Sequence, residues 1–204
     1  GGAFFQSGVS NVNHYSRQLI AQEEKLAIAS KVSALIPDNS SVVLNIGTTT
    51  EQVARSLLST HQGLKIITNN INIVNIAGNS KNCEVWVAGG KLRSADNAIV
   101  GSLASDFISN FKIDYAIVGI SAIDKEGTLL DFDHEELMVT KAIYKQSRRI
   151  ILIADANKFD RKAPYVTGKI GEIDIFVTDK MPDKNIINIC EKNNVEIIIS
   201  SNKN

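Results

Sequence analysis

The chain has little with which to build a metal or disulfide centre. Its two cysteines, Cys83 and Cys190, stand far apart without a metal-ligand spacing and read as free thiols in a reducing compartment. Three histidines, His14, His61 and His134, form no ligand cluster. Charge of one sign is also missing. The 22 Lys and Arg residues balance 22 Asp and Glu, so the segment lacks the basic face that gripping nucleic acid by itself requires. No apolar run approaches the roughly 18 residues of a membrane span, and no leader segment is recognisable. GxxxxGK and GxGxxG are both absent, as is any Ser-His-Asp or Cys-His arrangement. The expectation is a cytoplasmic protein with neither metal nor cofactor.

What is present is enough apolar material for one sizeable core: 44% of 204 residues. From His14 to Ile36 the pattern predicts a helix, with Leu19, Leu26, Ala29, Val32 and Ile36 on about one face, stopped by Pro37-Asp38. Seven short apolar runs then suit buried strands: Val42–Ile46, Leu64–Thr68, Glu84–Ala88, Tyr115–Val118, Ile150–Ala154, Ile175–Thr178 and Glu196–Ile199. Amphipathic stretches of helical length lie between several of them: Glu51–Thr60, Ile71–Gly78, Ser102–Phe111, Glu135–Ser147 and Lys184–Asn193. This alternation predicts an α/β fold with a mainly parallel sheet flanked by helices. Ligands of such sheets sit beyond the carboxyl ends of the strands, so the residues that follow each run carry the information.

After Ile46 come Gly47, Thr48, Thr49, Thr50 and Glu51. Thr48 and Glu51 have the spacing of a capping box. Free N–H groups, the positive end of a helix dipole and three hydroxyls also suit a phosphate or carboxylate. The turn is therefore either an ordinary cap or an anion cradle. Asn69-Asn70 opens the next helix; one amide serves as cap and the other is left for a ligand. "GGKLRSAD" (89–96) brings Gly90, Lys91, Arg93 and Asp96 onto a loop that is either solvated or part of a site. Asp131, Asp133 and Glu136 gather near a helix start, where acids are favoured anyway, yet Asp131 and Glu136 also suit sugar or polyol hydroxyls. "DANKF" (155–159) offers Lys158 to a site, or to a surface ion pair of little worth. Together these ends fit a small phosphorylated polyol.

Six blocks carry a more specific signal: "LNIGTTTEQVARSLL", "IITNNINIVN", "VAGGKLRSADNAIVG", "DFISNFKIDYAIVGISAID", "GTLLDFDHEE" and "LIADANKF". In this order, from about His14 to the C-terminus, the chain resembles the effector-sensing domain of the DeoR family of bacterial transcription regulators. The resemblance implies a fold similar to ribose-5-phosphate isomerase, with the Gly-Thr-Thr-Thr turn as its phosphate loop. It implies a homo-oligomer that binds a phosphorylated sugar or polyol, glycerol 3-phosphate foremost, and then releases operator DNA. The DNA would be held by a winged helix-turn-helix domain lying outside this segment. "GGA" at residues 1–3 matches the stretch that follows such a domain, so 1–13 reads as a linker remnant and 14–204 as the sensing domain. The implied effector residues are Gly47, Thr48, Thr49, Thr50, Asn69, Asp96, Asp131, Glu136 and Lys158, with Gly90, Lys91, Arg93 and Lys141 as further candidates.

Two positions depart from the family pattern. Asn45 stands where an Asp is frequent. Thr140 occupies the place of a Lys four residues after the helix Glu, and Lys141, one residue on, is rotated by about 100° around the helix. Two other readings remain on the sequence: a sugar-phosphate isomerase using Asp124, Asp131 or Glu136 as base, and an oligomerisation module whose Thr-rich turn is only a cap.

Overall fold

The computed structural model describes residues 14–78 and 80–201; the expected linker, 1–13, lies outside them. Helices α1 (His14–Leu19) and α2 (Gln22–Ser33) lead into strand β1 (Ser41–Leu44), α3 (Thr48–Thr60), β2 (Leu64–Thr68), α4 (Ile71–Ala77) and β3 (Cys83–Val87). A hairpin of β4 (Lys91–Arg93) and β5 (Ala98–Val100) follows, then α5 (Ser102–Ser109) and β6 (Ile113–Gly119). Next come β7 (Ala122–Ile123), β8 (Thr128–Asp131), α6 (His134–Gln146), β9 (Ser147–Ile153) and β10 (Tyr165–Lys169). The chain closes with β11 (Ile175–Thr178), α7 (Lys184–Lys192) and β12 (Glu196–Ile199).

All seven expected strands join one parallel sheet in the order β12-β11-β9-β6-β1-β2-β3. They read as near-continuous apolar runs because both faces of the sheet are covered. Val42, Leu44, Ile117, Ile151, Ile153 and Val177 pack on one face with Ile28 and Val32 of α2, Val53 and Leu57 of α3 and Ile73 of α4. Val43, Ala116, Val118, Leu152 and Phe176 pack on the other with Ile108 of α5, Ile143 of α6 and Cys190 of α7. Chain progression reverses between β1 and β6, which makes the gap beyond their carboxyl ends the switch point of the sheet.

Two small antiparallel sheets decorate that end. One is the β4–β5 hairpin; the other has the order β10-β8-β7. The sequence reading takes 89–96 as a loop and assigns no strand to the other segments.

The single helix expected over His14–Ile36 is two helices. Ala21 takes a left-handed conformation (φ 54°, ψ 44°) between them. The cause is Lys25, which is buried and donates its ammonium protons to the carbonyls of Arg17 and Ile20. Those groups would otherwise bond along a continuous helix. Leu19 and Leu26, expected on the buried face, are 62% and 56% exposed, whereas Ala29, Val32 and Ile36 are buried as expected.

Candidate functional site at the switch point

A narrow cleft opens beyond β1 and β6. Its walls are Ile46, Gly47, Thr48 and Thr49 after β1, Gly119, Ile120 and Ser121 after β6, and Ile153 with Lys158 from the end of β9 and the turn beyond it. Asp131 at the end of β8, Glu136 in the first turn of α6 and Arg17 of α1 complete the lining.

The floor is the start of α3. Gly47 is its N-cap, at φ 156° and ψ 150°, a region open essentially to glycine alone. No side chain caps the helix. The N–H groups of a first helical turn have no intrahelical partners, so here they meet the cleft together with the positive end of the dipole. The expected Thr48–Glu51 capping box is not formed. Glu51 turns away, and its carboxylate collects His14 Nε2 at 2.8 Å, Asn72 Nδ2 at 3.0 Å and Asn70 Nδ2 at 3.3 Å. Thr50 is fully buried and donates to the carbonyls of Asn45 (2.9 Å) and Gly47 (2.7 Å), which holds the turn in shape rather than facing the cleft.

Asn45 ties the two strands of the switch point together. Its Nδ2 donates to the Gly119 carbonyl at 3.1 Å and its Oδ1 accepts from the Gly119 N–H at 2.8 Å. An Asp at this position has no donor for the first of these bonds. The departure from the family pattern is thus a two-way strap between β1 and β6.

Of the other expected residues, Asp131, Glu136 and Lys158 reach the cleft, while Asn69, Asp96, Gly90, Lys91, Arg93 and Lys141 are not among its walls. Asn69 donates to the Ile99 carbonyl (2.9 Å) and so pins the hairpin to β2, while Asn70 is the cap of α4, accepting from Asn72 N. Arg93 is spent on three carboxylates: Asp96 at 2.7 Å, Asp133 at 2.9 Å and Glu136 at 2.7 Å. It clamps the hairpin to the start of α6, where Asp133 is also the N-cap. Lys91 pairs with Glu135 at 2.8 Å on the surface. Thr140 is buried and Lys141 exposed, in keeping with the one-residue rotation. Asp124 closes its own turn by accepting from the Glu126 and Thr128 N–H groups, away from the cleft.

Electrostatics set the cleft apart from a solvated surface. Burial pulls the Lys158 ammonium down to about 8, against the pull of Asp155 in the other direction. Burial, and then the facing Asp131 carboxylate, push Glu136 up to about 8 despite its ion pair with Arg93. Asp131 is raised by burial as well, although Ser121 and the Phe132 N–H donate to it. Sequence reasoning missed Arg17, Gly119 and Ser121. Arg17 carries no signal of its own, because its placement depends on the break at Ala21.

Comparison with known proteins places the chain in a family. Residues 20–180 match the DeoR C-terminal sensor domain. The chain belongs to the DeoR family. Among its relatives, the glycerol-3-phosphate regulon repressor of Escherichia coli K12 is 39% identical over 197 residues, 97% of this chain and 78% of that protein. The repressor of the same name from Haemophilus influenzae is 36% identical over 203 residues, and the E. coli repressor CsqR is 37% identical over 199. In fold, this DeoR-family domain is similar to ribose 5-phosphate isomerase A of Methanocaldococcus jannaschii (TM-score 0.51, 13% identity), with 68% of this chain and 55% of that one aligned. It is also similar to eIF2B beta of Chaetomium thermophilum (TM-score 0.57, 16% identity), with 84% and 56% aligned. The expected sugar-phosphate-isomerase-like fold is therefore correct. Among the described residues no group of His, Cys, Asp or Glu is placed to hold a metal, and no helix is long and apolar enough to cross a membrane.

Proposed function

We propose that the switch-point cleft binds a small phosphorylated polyol or sugar, glycerol 3-phosphate first among them, and that the domain senses this effector without converting it. The observation that carries the reading is the uncapped start of α3 facing Lys158 across a cleft whose other wall holds Asp131, Glu136 and Ser121. Phosphate oxygens accept from the N–H groups and hydroxyls of Gly47, Thr48 and Thr49, and the ammonium of Lys158 balances part of their charge. Asp131, Ser121 and Glu136 lie on the side where polyol hydroxyls would point. The names of the relatives support a repressor role. In this reading the protein is cytoplasmic and homo-oligomeric, and operator DNA is held by a winged helix-turn-helix domain outside this segment. Effector binding then lowers DNA affinity through a coupling of about 1–3 kcal/mol, the ordinary range for such linkage.

Isothermal titration with glycerol 3-phosphate, ribose 5-phosphate, glucosamine 6-phosphate and inorganic phosphate tests the reading. Saturable binding of an organic phosphate well above inorganic phosphate supports it, and the compound that wins names the effector class. Silence from the whole panel refutes it. A second reading, isomerisation, draws on Glu136, whose pKa near 8 suits a general acid or base at neutral pH. Turnover of any sugar phosphate in the panel would favour that reading over sensing.

A further inference from the structure

Arg17 is the one wall of the cleft that comes from α1, ahead of residue 20 where the family match begins. Its side chain is about four-fifths buried, and its Nε is shielded from solvent with no hydrogen-bond partner among the described residues. The nearest acid, Asp96, lies 3.6 Å from Nη2, and both Asp96 oxygens are already taken by Arg93 at 2.9 and 2.7 Å. A guanidinium offers five N–H donors in a planar fork that matches a phosphate. In this cleft the Nε donor is unspent and Nη2 has only the 3.6 Å contact with Asp96, opposite the open turn of α3.

The way α1 is seated makes this more than a further contact. Leu19 and Ile20 face solvent, 62% and 46% exposed, so they anchor nothing. Among the described side chains of α1, polar contacts do the holding. His14 and Gln18 reach the Glu51 carboxylate at 2.8 and 3.4 Å, and the Lys25 ammonium takes the carbonyls of Arg17 and Ile20. Ala21, left-handed beside α1, is where the helix turns back onto the body. Elements held by few apolar contacts belong to the low-stability end of a fold, where small energies shift populations.

We propose that Arg17 is a phosphate-binding residue of the effector site carried on a marginally seated helix, so that occupying the cleft and seating α1 are one equilibrium. This rests on the reading of the cleft as a phosphate site. An anion on the α3 turn gives Arg17 Nε the partner it lacks and draws α1 onto the body.

The test is hydrogen exchange by mass spectrometry on this chain, with and without glycerol 3-phosphate, the other panel compounds and inorganic phosphate. Titrations of Arg17→Ala and Arg17→Lys accompany it. Expected are slower exchange at both 47–50 and 14–20 in the parent protein, and a loss of about 10- to 100-fold in affinity for Arg17→Ala, the size of a charge-assisted contact. Arg17→Lys should recover part of the affinity. In Arg17→Ala the turn should still be protected by saturating effector while α1 is not, a split that a general loss of structure does not give. If the parent protein binds and protects 47–50 while α1 exchange is unchanged and Arg17→Ala binds within about twofold, below the cost of losing one hydrogen bond, the proposal is overturned and the sensing reading stands. If the parent protein binds no member of the panel, both fall.

Discussion

Filling the cleft is expected to draw protons into it. Lys158 is held down to about 8 by burial, and Glu136 is pushed up to about 8 by burial and by Asp131. Near pH 8 each group is therefore about half protonated in the empty cleft. A dianionic phosphate on the α3 turn favours the protonated form of both, the ammonium by attraction and the neutral carboxyl by relief of repulsion. Full protonation of both takes up about one proton per effector near pH 8, and only about 0.2 near pH 7, where each group is already about nine-tenths protonated. Affinity should consequently fall as pH rises through 8. The assay is calorimetric titration in Tris and in HEPES at one pH, since the dependence of observed heat on buffer ionisation enthalpy counts the protons. Lys158→Met should remove about half of the uptake. An observed heat that is the same in both buffers near pH 8, with binding intact, would refute the claim that these two groups face the effector.

Other consequences follow from the same geometry. Thr48→Ala combined with Thr49→Ala should weaken effector binding without lowering the melting temperature by more than a few degrees, because neither hydroxyl is part of the Thr50 strap; unchanged affinity in the titration would sink the phosphate-loop assignment. Asn45→Asp should cost about 1–3 kcal/mol in urea unfolding, since it takes the donor from the half-buried Gly119 carbonyl and sets a carboxylate, on a buried side chain, against it. Gly47→Ala should cost about 1–3 kcal/mol of backbone strain and disturb the anion site together with the fold, seen as parallel losses in unfolding and titration. Glu136 has a folded pKa of about 8 against an ordinary 4.5, so its folded form keeps a proton that the unfolded chain has lost. Its contribution to stability is present below about pH 4.5 and is lost as pH rises to about 8. Urea unfolding of Glu136→Gln across that window should be flatter than that of the parent protein, and parallel curves would contradict the assignment.

The parallel sheet was legible because its inner strands are largely buried on both faces, which leaves an apolar run no matter which neighbours cover it. The small sheets were not, since β7 has two residues and β8 finds its partner β10 only after α6 and β9 have intervened. Such pairings leave no periodicity along the chain. The candidate site divides along the same line. Gly47, Thr48, Thr49 and Lys158 follow sheet strands directly and were found from that fact, whereas Arg17 depends on a helix break that no Gly or Pro announces. The available signal was Lys25 itself. It stands three and four residues before Ile28 and Ala29, on the apolar face of α2, where a lysine has to bury its charge. Burial lowers its pKa, with Asp155 acting the other way, and its ammonium is satisfied by the very carbonyls that end α1.

These features bear on why the domain suits sensing. The cleft keeps Lys158 partly desolvated, leaves Arg17 Nε without a partner and crowds Asp131 against Glu136. Each is a cost borne in the unliganded state, and a bound anion offsets the first two. A ligand shifts a conformational equilibrium only by as much as its affinity differs between the two states. The partly desolvated Lys158 ammonium and the unmet Nε of Arg17 supply that difference, and they come from distant parts of the chain: the turn beyond β9 and the first described helix. A catalyst on this scaffold would need a base held steadily against one substrate carbon, but Glu136 is clamped by Arg93 at 2.7 Å, which favours a fixed wall over a proton shuttle.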